Sequence, residues 1–308
     1  MIYTCTMNPS VDYQVASASI QLGTLNRVQD TAFYPGGKGI NVSRVLQHLG
    51  MKSIALGFTG GFTGNFIQES LHQAGILTDF VQHAGPTRIN VKLKTDESET
   101  EINGSGAFIT EAEQQQLVQK IKALDERDYL VISGSLPASV PFQLYEDMVK
   151  QCSANGVKQV LDIPSRSLVD LLVYRPFLIK PNIEELGDML GKDITTTAEA
   201  ISGAKQLVKQ GAVHVIVSMG AAGAILVNQN GVWQAATPKG ELKSSVGAGD
   251  SLVAGFLSTY IRCDDISEAF QYGVASGSAT AFSDDLCTKQ EADRLYPLVQ
   301  IMNGGKES

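Results

Sequence analysis

Short, continuously apolar, β-branched runs alternate with helical patterns along most of the chain, and nothing else in the sequence limits the fold as strongly. Runs at Ile2–Thr6, Ser53–Phe58, Tyr129–Ser133, Gln159–Ile163, Phe177–Lys180 and Val213–Ser218 read as strands. Continuous rather than alternating apolarity is the pattern of strands buried on both faces of a parallel sheet. Between them the spacing predicts helices at Glu111–Leu124, Phe142–Asn155 and Thr197–Gln210. Such alternation with right-handed crossovers builds an α/β sandwich, a sheet with helices on both faces.

Two segments break the rhythm. Arg88–Thr95 alternates strictly, with Ile89, Val91 and Leu93 on one face and Arg88, Asn90 and Lys92 on the other. A polar turn at Asp96–Ser98 leads to a returning strand at Thr100–Asn103. Val11–Tyr34 is also strand-like, with a turn at Gly23 and no helical period. These pieces form either a small half-exposed sheet beside the main one or a pair of edge hairpins. Asn303–Ser308 reads as a frayed tail.

The 308 residues, 43% of them hydrophobic, suffice for one large domain with a small appendage. A net charge of −8 argues against a nucleic-acid footprint and against a polybasic membrane surface. Cysteines 5, 152, 263 and 287 include no Cys-x-x-Cys, and the histidines form no ligand pair at helical spacing. A zinc site or disulfide framework is therefore not expected, and a reducing cytoplasm fits. The N-terminus lacks a basic and apolar leader, and no stretch approaches ~18 uninterrupted apolar residues. The expectation is a soluble protein that is not exported.

Two glycine-rich helix starts carry the chemistry. In Pro35–Gly50, Val42, Val45, Leu46 and Leu49 recur at helical spacing up to a Gly50 cap. The first turn holds Gly36, Gly37, Lys38 and Gly39, where bare amides attract anions. Lys38 sits at the positive end of the helix dipole, which costs a few tenths of a kcal/mol. Something negative is expected to offset it, the bland alternative being a plain glycine-rich turn. In Ser244–Ile261, Leu252, Phe256 and Tyr260, with Val253, Leu257 and Ile261, form a broad apolar face. Gly247, Ala248 and Gly249 open that helix and Asp250 falls in its first turn. Asp250 either complements the dipole or takes a hydroxyl proton beside amides that hold a phosphoryl group. Neither segment is a Walker A loop, and the dinucleotide, protein-kinase and nucleophile-elbow motifs are absent.

Taken together, the Gly-Gly-Lys-Gly-Ile-Asn run at 36–41 and the Val-Gly-Ala-Gly-Asp run at 246–250 resemble the signatures of the ribokinase-like (phosphofructokinase B type) sugar kinases. The likeness covers essentially the whole chain. It is carried further by Thr6–Tyr13, Gly57–Gly64, Thr87–Lys92 and Thr100–Asn103. Met7 and Ser105 depart from the family pattern, which usually has leucine and proline there, and neither carries chemistry.

The resemblance implies a three-layer α/β/α sandwich, one kinase domain over residues 1–308, with a small β-sheet lid from about 11–34 and 88–108. It implies ATP and Mg²⁺, and phosphorylation of D-fructose 1-phosphate at the C6 hydroxyl. Tagatose 6-phosphate and fructose 6-phosphate are the neighbouring substrates; a non-catalytic sugar-phosphate sensor is a different class of reading, and a nucleotide-binding oxidoreductase a third. Asp250 is then the base, with Gly247, Ala248 and Gly249 holding phosphoryl charge. Asp12, Gly36, Gly37, Lys38, Asn41, Asn90, Asn103 and Ser135 line the sugar pocket, and Lys38 and Arg88 hold the substrate's phosphate. Lys180, Asn182, Ser218, Gly220, Gly223, Gly249 and Ser278 stand on the nucleotide side. Glu185, in the Asn-x-x-Glu element, organises magnesium through water, the alternative being a solvated helix carboxylate. Ala275–Ala279 wall the adenine or simply allow close helix packing. No nucleic acid or membrane partner is expected, and the exposed lid edges allow a lid-to-lid homodimer.

Overall fold

The computed structural model describes residues 1–28 and 30–304. Among them, eleven strands join in a large sheet and four in a small one. In chain order the strands are β1 (Ile2–Thr6), β2 (Ser10–Ala16), β3 (Asp30–Gly36), β4 (Ser53–Gly60), β5 (Leu77–Thr78), β6 (Val81–His83), β7 (Arg88–Lys94), β8 (Glu99–Asn103), β9 (Tyr129–Ser133), β10 (Lys158–Asp162), β11 (Leu178–Ile179), β12 (His214–Ser218), β13 (Ala224–Asn228), β14 (Gly231–Ala235) and β15 (Ile301–Gly304). The helices are α1 (Lys38–His48), α2 (Gly61–Gln73), α3 (Glu111–Lys122), α4 (Gln143–Ala154), α5 (Ser165–Leu171), α6 (Ile183–Leu190), α7 (Thr197–Gln210), α8 (Ala248–Cys263), α9 (Ile266–Ala281) and α10 (Lys289–Leu295).

In the large sheet β5, β4, β1, β9, β10, β11 and β12 run parallel, and β13, β14 and β15 extend it antiparallel. β9 shows why these strands are continuously apolar. Leu130 and Ile132 pack among residues of α3, α4 and α7, whereas Tyr129 and Val131 pack among residues of α1, α8 and α9. Both faces are covered, so every position of β9 is buried. Burial of one such side chain is worth ~1.5–3 kcal/mol. This is the expected α/β/α sandwich.

The two segments that broke the rhythm pair with each other. The small sheet has the order β3-β2-β7-β8, with β2 parallel to β7 and the two outer pairs antiparallel. Its polar face carries Asp12, Asn90, Lys92 and Glu101. Its other face carries Tyr13 stacked on Phe33 at 4.6 Å, with Ile89 and Ile102 exposed.

Several expectations change. β4 continues to Gly60 and β11 is only two residues long. The β13–β14 hairpin was not expected; its turn at Gln229–Asn230 precedes Gly231. The tail does not fray from Asn303, because β15 pairs with β14 through Ile301–Gly304; residues 305–308 lie outside the described residues. Ile261, expected on the buried face of α8, is exposed, whereas Leu252, Val253, Phe256 and Leu257 are buried.

Candidate active site

A cavity of about 1310 Å³ lies at the C-terminal ends of the parallel strands, between them and the polar face of the small sheet. Crevices outside the carboxyl ends of strands are where open α/β sheets bind ligands. Single-ligand pockets run to roughly 1,000 Å³, so this one has room for two molecules.

On the small-sheet side, β2 and β7 run in register with Asp12 opposite Asn90. The Asp12 carboxylate accepts hydrogen bonds from Ser10 Oγ at 2.7 Å and Asn90 Nδ2 at 3.0 Å. Lys92 Nζ lies 3.5 Å from Asp12 and 3.4 Å from Glu101, so its charge is shared between two carboxylates. Arg88, half-buried, donates to the carbonyls of Asn8 at 2.9 Å, Gly104 at 3.0 Å and Pro9 at 3.3 Å. Two of its five N–H groups remain for a ligand. Burial lowers its pKa, partly countered by Asp12.

The floor is built from the two glycine-rich helix starts. Gly37 caps α1 at φ 117°, in the left-handed region that favours glycine, and Lys38 opens the helix. Gly247 caps α8 at φ 78°, and a Cβ there would lie 2.5 Å from Leu286 Cδ2. Asn41 of α1 joins the two starts by donating to Asp250 Oδ2 at 2.9 Å. Asp250 is 5% exposed, and burial, with Asp162 nearby, pushes its pKa up to about 6. Lys38, for which a negative ligand was expected, is already paired within the protein, with Asp162 at the end of β10 at 3.2 Å. Lys180 Nζ reaches the other oxygen of Asp162 at 3.7 Å. Burial opposes ionisation of Asp162, but Lys180 and Lys38 outweigh it and its pKa is lowered.

Across the cavity stand Ser218 at the end of β12, Gly220 and Gly223 of the β12–β13 connection, and Gly277 and Ser278 of α9. Asn182 and Glu185 form a capping box at the start of α6: each side chain accepts the other's backbone N–H at 2.8 Å. The small residues of α9 allow close helix packing, and two of them also reach the cavity. Gly277 and Ser278 line the cavity, and a Cβ on Gly277 would meet Ala248 O of α8 at 2.9 Å.

A model of the pfkB family carbohydrate kinases matches residues 5–292. The chain belongs to the pfkB family of carbohydrate kinases. It is 48% identical to the 1-phosphofructokinase of Bacillus subtilis (strain 168) over 301 residues, 98% of this chain and 99% of that one. It is 38% identical to a D-tagatose-1-phosphate kinase of Bacillus licheniformis, over 98% and 99% of the two chains. Phosphofructokinase-2 from Escherichia coli, solved in complex with substrates and products, superposes with a TM-score of 0.91 at 30% identity, over 96% of this chain and 98% of that one.

This pfkB-family kinase gathers nearly all of the anticipated site residues around one cavity: Asp12, Gly37, Lys38, Asn41, Arg88, Asn90, Asn103 and Ser135 on one side, Lys180, Asn182, Glu185, Ser218, Gly220, Gly223 and Ser278 on the other, with Gly247, Ala248, Gly249 and Asp250 between. Gly36 is the exception. It is buried behind the wall, and a Cβ there would lie 2.5 Å from the Asp12 carboxyl. It makes room for a lining residue without being one. Sequence reasoning missed Asp162 as a site residue altogether, although a carboxylate closing an apolar parallel strand is a signal at this end of a sheet. Thr6, Asn8, Ser10, Glu101 and Ser133 also line the cavity and were not singled out.

Proposed function

We propose that this kinase transfers the γ-phosphoryl group of ATP to the C6 hydroxyl of D-fructose 1-phosphate, giving fructose 1,6-bisphosphate and ADP, with Asp250 as the base. One observation carries this reading: a buried carboxyl, pushed up to about 6 and oriented by Asn41, sits among bare helix-start amides between the nucleotide-side loops and a polar sheet. A base with a pKa near working pH suits proton transfer from an attacking hydroxyl. The Gly247–Asp250 amides and Lys38 neutralise the moving phosphoryl charge, since positioning and electrostatics supply most of such catalysis. Asp12, Asn90 and Asn103 hold sugar hydroxyls; Arg88 and Ser135 hold the 1-phosphate, away from Lys38 at the transfer end. Lys180, Asn182, Ser218, Gly220, Gly223 and Ser278 cradle the nucleotide.

Among the described residues no group of three or more His, Cys, Asp or Glu could hold a metal. Glu185 fits a different arrangement, with one carboxylate oxygen on its capping bond and the side chain lining the cavity. That suits Mg²⁺ held mainly by nucleotide phosphates and water. The bound ion would supply neutralisation of phosphate charge.

The small sheet acts as a lid in this reading, excluding water from the transfer. Its half-exposed apolar face is a surface for a second copy of the chain, which light scattering would detect as a dimer. The four free cysteines and the absence, among the described residues, of a helix long and apolar enough to cross a membrane accord with a cytoplasmic enzyme.

D-Tagatose 1-phosphate, the C4 epimer, is the second reading, because relatives named for it are also similar over nearly their full length. An ADP-release assay across fructose 1-phosphate, tagatose 1-phosphate, fructose 6-phosphate, tagatose 6-phosphate and fructose separates them. The highest kcat/KM is expected on fructose 1-phosphate, and preference for a 6-phosphate overturns the assignment. Arg88→Ala should raise KM for fructose 1-phosphate roughly ten- to hundredfold, ~1.5–3 kcal/mol for a charge-assisted contact, and barely move KM for ATP. Equal loss on unphosphorylated fructose would reduce Arg88 to a staple for the Asn8, Pro9 and Gly104 carbonyls.

A further inference from the structure

In β1, β9 and β10 the residues Thr6, Ser133 and Asp162 stand in one row across three adjacent parallel strands. Side chains at matched positions of parallel strands share a face. Here that face is the one covered by α1 and α8, and all three residues line the cavity. Asp162 is 3% exposed, so little of its carboxylate is open to water. Its two oxygens go instead to two lysines from different elements, Lys38 at the start of α1 and Lys180 just before α6. Lys180 in turn lies against the first turn of α8, where a Cβ on Gly249 would come within 2.9 Å of its Nζ. Thr6 Oγ1 and Ser133 Oγ are buried with no hydrogen-bond partner. The row is thus a polar floor whose bonding capacity is not used up by the protein.

We propose that Asp162 is a positioning residue for phosphoryl transfer, anchoring Lys38 and Lys180 through separate carboxylate oxygens so that both ammonium groups face the first turn of α8. A role in stability alone explains the arrangement poorly. A buried carboxylate with two ammonium groups gains little over an apolar filling of the same volume. It also places a second carboxylate near Asp250 and so makes that group harder to ionise. Without it, Lys38 and Lys180 would repel each other beside two positive helix ends. The groups facing Asp250 are Asp162 from β10, Lys38 and Asn41 from α1, and Lys180 from the segment before α6; Glu185 of α6 acts on Lys38.

The proposal rests on Asp250 as base, and the experiment separates the two. Asp162→Asn keeps the shape and removes the charge. It should lower kcat on fructose 1-phosphate and ATP roughly ten- to hundredfold, as misplaced catalytic groups do. The acid limb of kcat/KM should move to lower pH by at least about half a pH unit, because the like charge near Asp250 is gone. In a Lys38→Met background the same substitution should cost less than about threefold, since one positioned group is already missing. An unmoved acid limb, or an equal cost in both backgrounds, overturns the proposal. If melting curves show that Asp162→Asn is unfolded, Asp162→Glu, which keeps the charge but displaces both ammonium groups, should still lower kcat at least about fivefold, and an unchanged kcat there overturns the proposal equally. Full turnover by Asp250→Asn would sink the base assignment itself, whatever Asp162 does.

Discussion

The starts of α1 and α8 are built alike, each capped by a glycine at positive φ, and they carry opposite charges in the first turn. The helix dipole alone would penalise Lys38 and favour ionised Asp250. The structure reverses both tendencies. Burial opposes the charge on Lys38, but Asp162, Asp250 and Glu185 outweigh it and its pKa is raised. Asp250 is held back from ionising by its burial and by Asp162. The difference teaches that the charge state of a helix-start residue here is set by its burial and by a buried carboxylate on a strand, a third element, more than by the helix it belongs to.

Breaking the α8 side of the comparison should have the largest effect. Asp250→Asn keeps the shape and the Asn41 contact while losing the proton acceptor, so kcat should fall ~10²–10⁴-fold with ATP and sugar binding nearly intact. A variant turning over at half the wild-type rate refutes the mechanism.

The same substitution sharpens the comparison through stability. A carboxyl raised from 3.8 to about 6 contributes stability that is complete below pH 3.8 and lost as pH rises through 6. Asparagine has no charge to bury, so Asp250→Asn should melt a few degrees above wild type at pH 8, by roughly 2–4 °C per kcal/mol. Near pH 4 the gap should close. Parallel melting curves at both pH values would contradict the assigned burial cost.

The smallest change is expected at Glu185, which reaches Lys38 through charge alone. Glu185→Gln should raise the half-saturating Mg²⁺ only about two- to fivefold, because contact through water is weak. An unchanged Mg²⁺ titration would return Glu185 to its role in the capping box.

How much of this was legible depended on range. β1, β9 and α7 have the residues expected, because each is fixed locally: two short runs of strand-forming residues, and a helix opened by the Thr196–Glu199 capping box. The helix starts were legible for the same reason, as glycines mark them directly. Asp162 was not, because a carboxylate ending an apolar strand reads the same whether water or two lysines receive it. Its partner Lys38 lies 124 residues away in sequence. Of the antiparallel extension, range explains only β15, which arrives after α8, α9 and α10; β13 and β14 pair with their chain neighbours and were missed although local. Gly36 was assigned to the pocket because its neighbours belong there; its actual task, clearing space for Asp12, appears only once β3 is laid against β2.

The position of β1 has a consequence for how the chain is made. Of the described strands this one is synthesised first, yet it occupies the middle of the large sheet, between β4 and β9. Ile2 pairs with Ser53 on one side and with Tyr129 on the other, and the Met1 ammonium reaches Asp128 at 2.9 Å. One edge of β1 can therefore be covered early in synthesis, while the other waits for more than a hundred further residues, on the order of ten seconds of translation. During that interval an apolar strand with an open edge is exposed, the kind of surface that chaperones bind and that aggregates form on. The strand whose last residue, Thr6, lines the cavity is thus also the one left longest with an open edge between its two partners.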